Sequence, residues 1–244
     1  MIELQSFSVR RGGSLILSDI TLSIERGELL AVVGPNGSGK STLLRSILGR
    51  LEDTSGKLQL DGQSVHSYKP QERAALLAWL PQRQQIAEPL SVWEVTAAAR
   101  YRFTESPAMR KRATLEALKD VGMDHFSHRI WNSLSGGEAQ RVSMASLVAQ
   151  EAGCWLLDEP ANHLDPAVQQ QVYSQIIGKW NGGQSIVVVT HDLDLLEGFD
   201  RVLVMDAGDE LQLRLHLAAP ESERDERGFE PSRPSVDERG GVHG

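Results

Sequence analysis

The stretch ELLAVVGPNGSGKSTLL, residues 28–44, joins an apolar run to a glycine-rich loop and then to a segment with helical spacing. The apolar run is typical of a strand that is buried on both faces of a parallel sheet. The segment after the loop reads as a helix until Gly49. A strand, a glycine-rich loop and a helix in this order predict the first unit of a parallel α/β sheet.

The loop Gly34–Ser41 matches the pattern G-x-x-x-x-G-K-[ST] in full. Its three glycines let backbone N–H groups curve around phosphate oxygens with no Cβ in the way. The helix N-terminus that follows adds a partial positive charge. We expect Lys40 to reach the β- and γ-phosphates of a nucleotide and the Ser41 hydroxyl to bind Mg²⁺. A glycine turn with a solvated lysine is the competing interpretation, and the strand and helix on either side count against it.

Three later apolar runs share the character of a buried strand: Cys154–Leu157, Ile186–Val189 and Val202–Met205. Each follows a stretch that reads as helix, which favours a parallel core sheet. Residues 2–9 and 15–24 alternate apolar and polar side chains instead, as strands of an antiparallel sheet with one wet face do. The predicted fold class is therefore α/β, with an N-terminal antiparallel β subdomain.

Beyond residue 81 the sequence turns helical. Ser91 and Glu94 form an S-x-x-E capping box, and Ser106-Pro107 supplies an N-cap followed by proline at the first helical position. We predict a helical subdomain over residues 84–133, inserted into the α/β core. With the helix that follows the next glycine pair, the insert extends over about residues 84–150.

Composition limits the class of protein. The chain has 244 residues, 40% hydrophobic and 24% charged, which fits a globular protein of one large or two small domains. Its longest apolar run, Ala74–Leu80, is far shorter than the roughly 20 residues that cross a bilayer. The start lacks the pattern of a signal peptide, and a single cysteine fits a reducing compartment, so we expect a cytosolic chain. A net charge of −8 argues against a nucleic-acid partner. Residues 218–244 form a charged, apolar-poor tail that we expect to be disordered.

Two acids end one of the buried runs, at Asp158 and Glu159. Ligands of parallel sheets bind beyond the carboxyl ends of the strands, where the glycine loop also emerges. One carboxylate suits Mg²⁺, and the other could polarise an attacking water as a general base. His191 follows another buried run and can hold that water through hydrogen bonds. Gln82 can bind Mg²⁺ or water through its amide, although an ordinary loop glutamine fits the sequence equally well.

A second helix start with glycines lies in NSLSGGEAQRVS, residues 132–143. Ser135 and Glu138 form another capping box. Gly136 and Gly137 leave the first helical turn bare, so its N–H groups and the helix dipole make an anion site without a lysine. Such a donor set would complement the first loop from the opposite side of a triphosphate. The sequence does not decide whether that side belongs to the same chain or to another copy.

In order, GPNGSGKS, Gln82, LSGGE, CWLLDEP, NHLDP and VTHD resemble the motifs of the nucleotide-binding subunit of ABC (ATP-binding cassette) transporters. The resemblance covers roughly residues 2–206, and it implies a P-loop NTPase fold with a RecA-like core sheet over residues 1–217. It further implies a head-to-tail homodimer that buries two ATP molecules. Ser135 and Gly137 would then contact the γ-phosphate of the ATP that the other copy binds.

The resemblance implies a role for each residue at the sheet edge. Asp158 and Ser41 would hold Mg²⁺, with Gln82 nearby. Glu159 would be the general base and His191 the switch, and Lys40 and Gln82 would complete the catalytic set. The implied ATP contacts are Arg11, Gly34, Pro35, Asn36, Gly37, Ser38, Gly39, Lys40, Ser41 and Thr42, together with Ser135, Gly136 and Gly137 of the other copy.

Partners also follow from the resemblance. Residues Asn162–Asp165 would touch the second copy, and the segment around Gln82 and the helices up to Trp131 would receive a transmembrane permease. The chain would be peripheral on the cytoplasmic face of the inner membrane, with a substrate-binding protein in the complex. The runs Ala149–Glu151 and Asn162–Gln170 resemble those in the ATP-binding subunits of importers of iron chelates, haem or cobalamin. Importers of zinc or manganese share much of these two runs.

Two departures and two alternatives accompany this interpretation. Arg11 stands where many family members stack an aromatic ring on adenine, and a guanidinium can stack on a base instead. After Met205 the family's glycine-centred hairpin is replaced by AGDELQLRLHLAAP, so we expect abbreviated final strands.

The first alternative is a soluble ABC-type ATPase of DNA repair, cluster assembly or translation. The second is a nucleotide-dependent interaction module that does not hydrolyse ATP.

Overall fold

The computed structural model describes residues 2–82, 84, 86–162, 164–181, 183–192, 196 and 198–205, and the backbone of residues 213–217. The strands in these ranges are β1 (Ile2–Arg11), β2 (Ser14–Ile24), β3 (Leu29–Val33), β4 (Thr54–Leu60), β5 (Gln63–Ser64), β6 (Leu77–Leu80), β7 (Cys154–Asp158), β8 (Ser185–Val189), β9 (Arg201–Met205) and β10 (Leu213–Leu217). The α-helices are α1 (Lys40–Ile47), α2 (Pro70–Leu76), α3 (Val92–Ala98), α4 (Pro107–Asp120), α5 (Gly136–Gln150) and α6 (Pro166–Asn181).

A six-stranded sheet forms the core, in the order β10-β9-β3-β8-β7-β6. Its five strands from β9 to β6 are parallel, and β10 pairs antiparallel with β9. All five residues of β3 are buried, and the strand lies between β9 and β8. The continuous apolar run in the sequence therefore corresponds to an interior strand, as predicted.

A second sheet is antiparallel and has the strand order β2-β1-β4-β5. The alternating pattern predicted β1 and β2, but β4 and β5 were missed because β4 buries only Leu58 and Leu60. Gly56 interrupts that strand with φ of +82°, and a Cβ there would lie 2.1 Å from the carbonyl oxygen of Ser6. A glycine within a strand marks such a close approach of two backbones.

The helical segment lies between β6 and β7 and contains α3, α4 and α5. The Ser91 hydroxyl caps α3 and the Ser106 hydroxyl caps α4, as the sequence predicts. The first helix of this segment begins at Val92, directly after the predicted cap Ser91. The apolar run Ala74–Leu80 divides between the end of α2 and all of β6, because side-chain periodicity alone cannot separate a short buried helix from a strand.

Both faces of the core sheet are covered. Helices α3 to α6 pack on one face through a cluster that includes Trp155, Leu157 and Val188. Helix α1 and the antiparallel sheet pack on the other through Leu30, Val32 and neighbouring residues. The core sheet is thus packed on both faces, and the loops at its carboxyl edge lie between these two layers.

The final described strands, β9 and β10, which we expect to be abbreviated, have five residues each. Each of the five residues of β10 pairs with a residue of β9. Residues 206–212 and the predicted tail, 218–244, lie outside the described ranges. Among the helices that are described, none has the length and apolar character needed to cross a bilayer.

Candidate functional site

The carboxyl edge of the parallel sheet brings the predicted site residues together. Four strands end there in succession, and their loops carry Gly34 after β3, Gln82 after β6, Asp158 at the end of β7 and His191 after β8. Parallel strands all present their carboxyl ends to the same edge. Residues that are far apart in sequence therefore face one shared space.

The glycine loop between β3 and α1 is held closely by its surroundings. A Cβ on Gly34 would lie 2.1 Å from the carbonyl oxygen of Met205, at the end of β9. Gly39 caps α1 in the left-handed conformation, with φ of +94°, and a Cβ there would lie 2.8 Å from the Leu17 side chain in β2. Both positions require glycine, because the backbone conformation and the space each exclude a side chain.

Lys40 is the first residue of α1 and is only 6% exposed. Its ammonium group donates hydrogen bonds of 2.7 Å to the carbonyl oxygens of Gly34 and Pro35, so it lies inside the curve of the loop. Burial lowers the pKa of Lys40, while the charges of Glu159 and Asp158 oppose that shift. The loop therefore holds a desolvated cation with acidic groups close by.

Ser41 and Asp158 join the glycine loop to the neighbouring strand end. The Ser41 hydroxyl donates a 3.0 Å hydrogen bond to Oδ1 of Asp158, which is 3% exposed. Burial raises the pKa of Asp158, and the hydrogen bond from Ser41 opposes that change. Two hard oxygen donors are thus in contact beside the phosphate loop, which is the ligand chemistry that Mg²⁺ prefers.

Glu159 is the point at which three loops meet. Its Oε2 accepts hydrogen bonds from the side-chain amides of Gln82 and Asn162, and its Oε1 lies 3.8 Å from Nδ1 of His191. The residue has φ of +50°, and its N–H donates a 2.9 Å hydrogen bond to the carbonyl of Val189. A positive φ is uncommon for a residue other than glycine, and such backbone strain clusters at functional sites.

The loop that bears His191 is anchored from behind. The Tyr173 hydroxyl of α6 lies 3.1 Å from Thr190 Oγ1, and the same oxygen accepts a hydrogen bond from the N–H of Asp192. Thr190 and Tyr173 are both buried, whereas the His191 side chain is 59% exposed. A fixed backbone therefore presents a solvent-facing imidazole.

The second helix start with glycines lies at the beginning of α5. The Ser135 hydroxyl accepts from the N–H of Glu138, and the Glu138 carboxylate accepts from the N–H of Ser135, so the predicted capping box is present. Hydrogen bonds from Ser135 lower the pKa of Glu138, and Arg129, at 2.7 Å, adds to this effect. The N–H groups of Gly136 and Gly137 have no carbonyl partner within the helix.

Helix α5 begins on an exposed surface of the chain. Ser135 and Gly136 are exposed, and Gly137 packs near Val168 of α6. Within the described ranges, no hydrogen bond joins Ser135–Gly137 to the Gly34–Ser41 loop of the same chain. The second donor set therefore faces outward.

Arg11 lies at the exposed end of β1. It pairs with Ser14 across the Gly12-Gly13 turn, and β2 then continues to Leu17, which packs against Gly39. The hairpin that bears Arg11 therefore adjoins the start of α1.

Sequence reasoning did not find two contributors to this arrangement. Asn162 was assigned only to the contact with a second copy, yet its amide binds Glu159. Tyr173 was not predicted, and an aromatic residue at helical spacing is typical of core packing. The proximity of Asn162 to the DE pair, three residues along the chain, was the available signal for the first.

These features define a P-loop nucleotide-binding protein: a parallel sheet, a glycine loop closing on a buried lysine, and acidic strand ends beside it. The family profile for ABC transporters matches residues 17–162. The chain belongs to the ABC transporter family, and it is an ATP-binding subunit that hydrolyses ATP.

Relatives and solved structures agree with this assignment. The chain is 36% identical to a hemin import ATP-binding protein of Pseudomonas entomophila, over 85% of this chain and 84% of that protein. It is 40% identical to one of Rhodopseudomonas palustris, over 80% of this chain and 75% of that protein. A dimeric ATP-binding cassette in a post-hydrolysis state with ADP and phosphate has a TM-score of 0.78 and 27% identity, covering 94% of this chain and all of that one.

Proposed function

We propose that the residues gathered at the carboxyl edge of the sheet form the hydrolytic centre for ATP. The observation that supports this most directly is the position of Glu159, whose carboxylate is bound by Gln82 and Asn162 and faces His191. A carboxylate fixed in this way can accept a proton from an attacking water. Gln82 and His191 orient that water, and Asn162 positions the carboxylate.

The glycine loop binds the phosphates. The backbone N–H groups of residues 34–42 surround the phosphate oxygens, and the start of α1 adds its partial positive charge. Lys40 exchanges its carbonyl partners for β- and γ-phosphate oxygens. Arg11, at the hairpin next to the loop, stacks on the adenine base.

The Ser41–Asp158 pair fits a magnesium site. The buried Asp158 carboxylate and the Ser41 hydroxyl are already in contact, and both are oxygen ligands. Gln82, whose amide nitrogen donates to the neighbouring Glu159, would offer its side-chain oxygen to the same ion. Held by these residues, Mg²⁺ would neutralise part of the negative charge of the triphosphate.

Two copies of the chain assemble head to tail around two ATP molecules. The outward-facing N–H groups of Gly136 and Gly137 and the Ser135 hydroxyl of one copy bind the γ-phosphate held by the loop of the other copy. The exposure of this helix start, without a hydrogen bond to its own chain's loop, supports the assignment. ATP then stabilises the dimer, and hydrolysis releases it.

The hydrolytic centre is tested with Glu159→Gln, which keeps the shape of the side chain but removes the base. ATP turnover is expected to fall by at least about a hundred-fold, while ATP binding persists. Glu116→Gln, on the exposed face of α4, is the matched control and leaves turnover unchanged. Full turnover by Glu159→Gln would contradict the role of this carboxylate and favour a protein that does not use it for hydrolysis.

The dimer is tested by adding Ser135→Arg in the Glu159→Gln background, where ATP persists. The parent variant should dimerise when ATP is added, as measured by light scattering after gel filtration. The added arginine fills the space of the phosphate at the dimer interface, so dimerisation is lost while each monomer still binds ATP. Unchanged dimerisation would show that Ser135 does not face the second nucleotide.

We further infer that the dimer drives a membrane permease that imports hemin or a similar iron chelate. Support comes from the hemin import ATP-binding proteins that this chain resembles across most of their length. In this assignment, residues 1–217 form the ATP-binding domain on the cytoplasmic face of the membrane, and the segment around Gln82 and the helices up to Trp131 contact the permease. A substrate-binding protein delivers the cargo on the far side.

Import is tested in proteoliposomes containing the full transporter. Hemin uptake should require ATP on the side of this subunit and should stop with Glu159→Gln. Uptake of a zinc or manganese salt under the same conditions distinguishes the competing cargo class. A chain that copurifies with no permease and turns ATP over alone would instead favour a soluble ATPase.

A further inference from the structure

A negatively charged side chain lies at the start of α5, next to the groups that would bind a phosphate. Glu138 is the third residue of this helix, and its Oε2 accepts a 2.7 Å hydrogen bond from the N–H of Ser135. Hydrogen bonds from Ser135 lower the pKa of Glu138, so the carboxylate is ionised at neutral pH. Two negative charges at close range repel each other, and this repulsion opposes the binding of an anion at the helix start.

Arg129 supplies the opposite charge. Its Nη1 donates a 2.7 Å hydrogen bond to Oε1 of Glu138, so both oxygens of that carboxylate have a donor. The side chains of Arg129 and Glu138 are 37% and 19% exposed, and solvent and salt therefore screen this pair less than a fully exposed one. The ion pair cancels the net charge beside the N–H groups of Gly136 and Gly137.

The arginine is also held in place by groups other than Glu138. Its Nη2 donates a 2.7 Å hydrogen bond to the carbonyl of Ser133, and its guanidinium carbon lies 5.2 Å from the centre of the Phe126 ring. The backbone of Arg129 is fixed as well, because its carbonyl accepts a 2.8 Å hydrogen bond from the N–H of Val92, the first residue of α3. A guanidinium with several fixed contacts is pre-organised, so the compensating charge is in place before a phosphate arrives.

We propose that Arg129 is a positioning residue for the contact between α5 and the γ-phosphate of the other copy's ATP. By neutralising Glu138 it leaves the helix start without net negative charge, so the N–H groups of Gly136 and Gly137 attract the phosphate. This role rests on the proposed head-to-tail dimer, in which the start of α5 faces the second nucleotide. It adds that the start accepts a phosphate only while the carboxylate beside it is compensated.

Arg129→Gln removes the compensating charge and is tested in the Glu159→Gln background, where ATP persists. The ATP concentration that gives half dimer, measured by light scattering, should rise about ten-fold, because the carboxylate repels the phosphate at both interfaces. ATP binding by the monomer should stay unchanged, since Arg129 lies outside the α1 loop. Arg112→Gln is the matched control, because it removes an arginine from an exposed ion pair with Glu116 on α4 and should leave the ATP requirement unchanged.

Adding Glu138→Gln to Arg129→Gln separates the charge from structural support. A glutamine at this position still completes the capping box with Ser135. The ATP requirement should return to within about two-fold of the parent, although the change does not restore the guanidinium contact with Ser133. Raising the salt from about 0.05 M to about 0.5 M should also reduce the difference between Arg129→Gln and the parent, because salt screens the repulsion.

Arg129→Lys keeps the charge with different hydrogen-bond geometry, and it should dimerise within about three-fold of the parent's ATP requirement. Three results would overturn the role of Arg129 while leaving the dimer intact: an unchanged ATP requirement in folded Arg129→Gln, no recovery on adding Glu138→Gln, or loss of dimerisation in folded Arg129→Lys. Thermal unfolding followed by circular dichroism establishes that each variant is folded. If the Glu159→Gln parent does not dimerise with ATP, the proposed dimer itself is wrong and the role of Arg129 falls with it.

Discussion

The N-termini of α1 and α5 both contain glycines and both leave backbone N–H groups without a partner in the helix, but their caps and surroundings differ. At α1 the N-cap is Gly39, with no side-chain cap and no acidic residue in the first turn. At α5 the N-cap is Ser135, which forms a complete capping box with Glu138. The first start is closed over the buried ammonium of Lys40, and the second lies open on the surface.

The difference shows what each start needs from the rest of the chain. The α1 loop depends on its own fold, because neighbouring strands touch Gly34 and Gly39 and restrict their shape. The α5 start is completed locally by Ser135 and Glu138, with Arg129 balancing the carboxylate charge. A self-contained start suits a surface that must be ready for a partner.

The largest expected effect is that of removing the Lys40 cation, which the α1 start has and the α5 start lacks. Lys40→Ala takes away the only side-chain charge of the glycine loop, and we expect ATP turnover to fall by about a thousand-fold or more, with ATP binding weakened. Lys57→Ala, at an exposed position of β4, is the control. ATPase rates and equilibrium nucleotide binding measure both variants. Turnover near the parent level in Lys40→Ala would mean that the α1 start does not hold the phosphates.

Adding one methyl group at each start compares their dependence on the surroundings. Gly34→Ala forces a Cβ against the Met205 carbonyl, and we expect a loss of about 3 kcal/mol in the free energy of unfolding. At Gly136 the nearest atom to a new Cβ is a Leu164 methyl at 3.8 Å, so Gly136→Ala should change that free energy by less than about 0.5 kcal/mol. Chemical denaturation measures both. Equal losses would refute the contrast between a dependent and a self-contained start.

The smallest expected effect concerns the cap. Ser135→Ala and Ser91→Ala each remove the serine of a capping box, at α5 and α3, and each should cost about 1 kcal/mol of stability. The variants should differ in ATP-dependent dimerisation, which weakens for Ser135→Ala and not for Ser91→Ala. If both or neither weaken dimerisation, the Ser135 hydroxyl acts only as a cap.

Much of this arrangement could be predicted because it depends on short sequence patterns. Capping boxes at Ser91 and Ser135 and the glycine pattern at 34–41 depend on residues within a few positions of each other. The ends of the buried runs at Asp158 and His191 were predictable because strands of a parallel sheet share one edge. Local chemistry and one rule of topology therefore account for most of the candidate site.

What could not be predicted depends on contacts between distant segments. Nothing near Gly34 in sequence indicates that Met205 borders it, and nothing near Gln82 indicates that its amide binds Glu159. The apolar run Ala74–Leu80 was ambiguous because helix and strand periods cannot be told apart over so few residues. Its division follows from the pairing of β6 with β7, a long-range interaction.

The pairing of β3 with two strands that come much later in the sequence has a consequence for folding during synthesis. β3 and its glycine loop are synthesised well before β8 and β9, yet β3 pairs with both of these strands, and Gly34 packs on the last residue of β9. During synthesis, the residues of the loop are therefore present long before the strands that fix its conformation. Because Gly34 packs against Met205, the complete binding surface for the phosphates can form only after residue 205 has been synthesised.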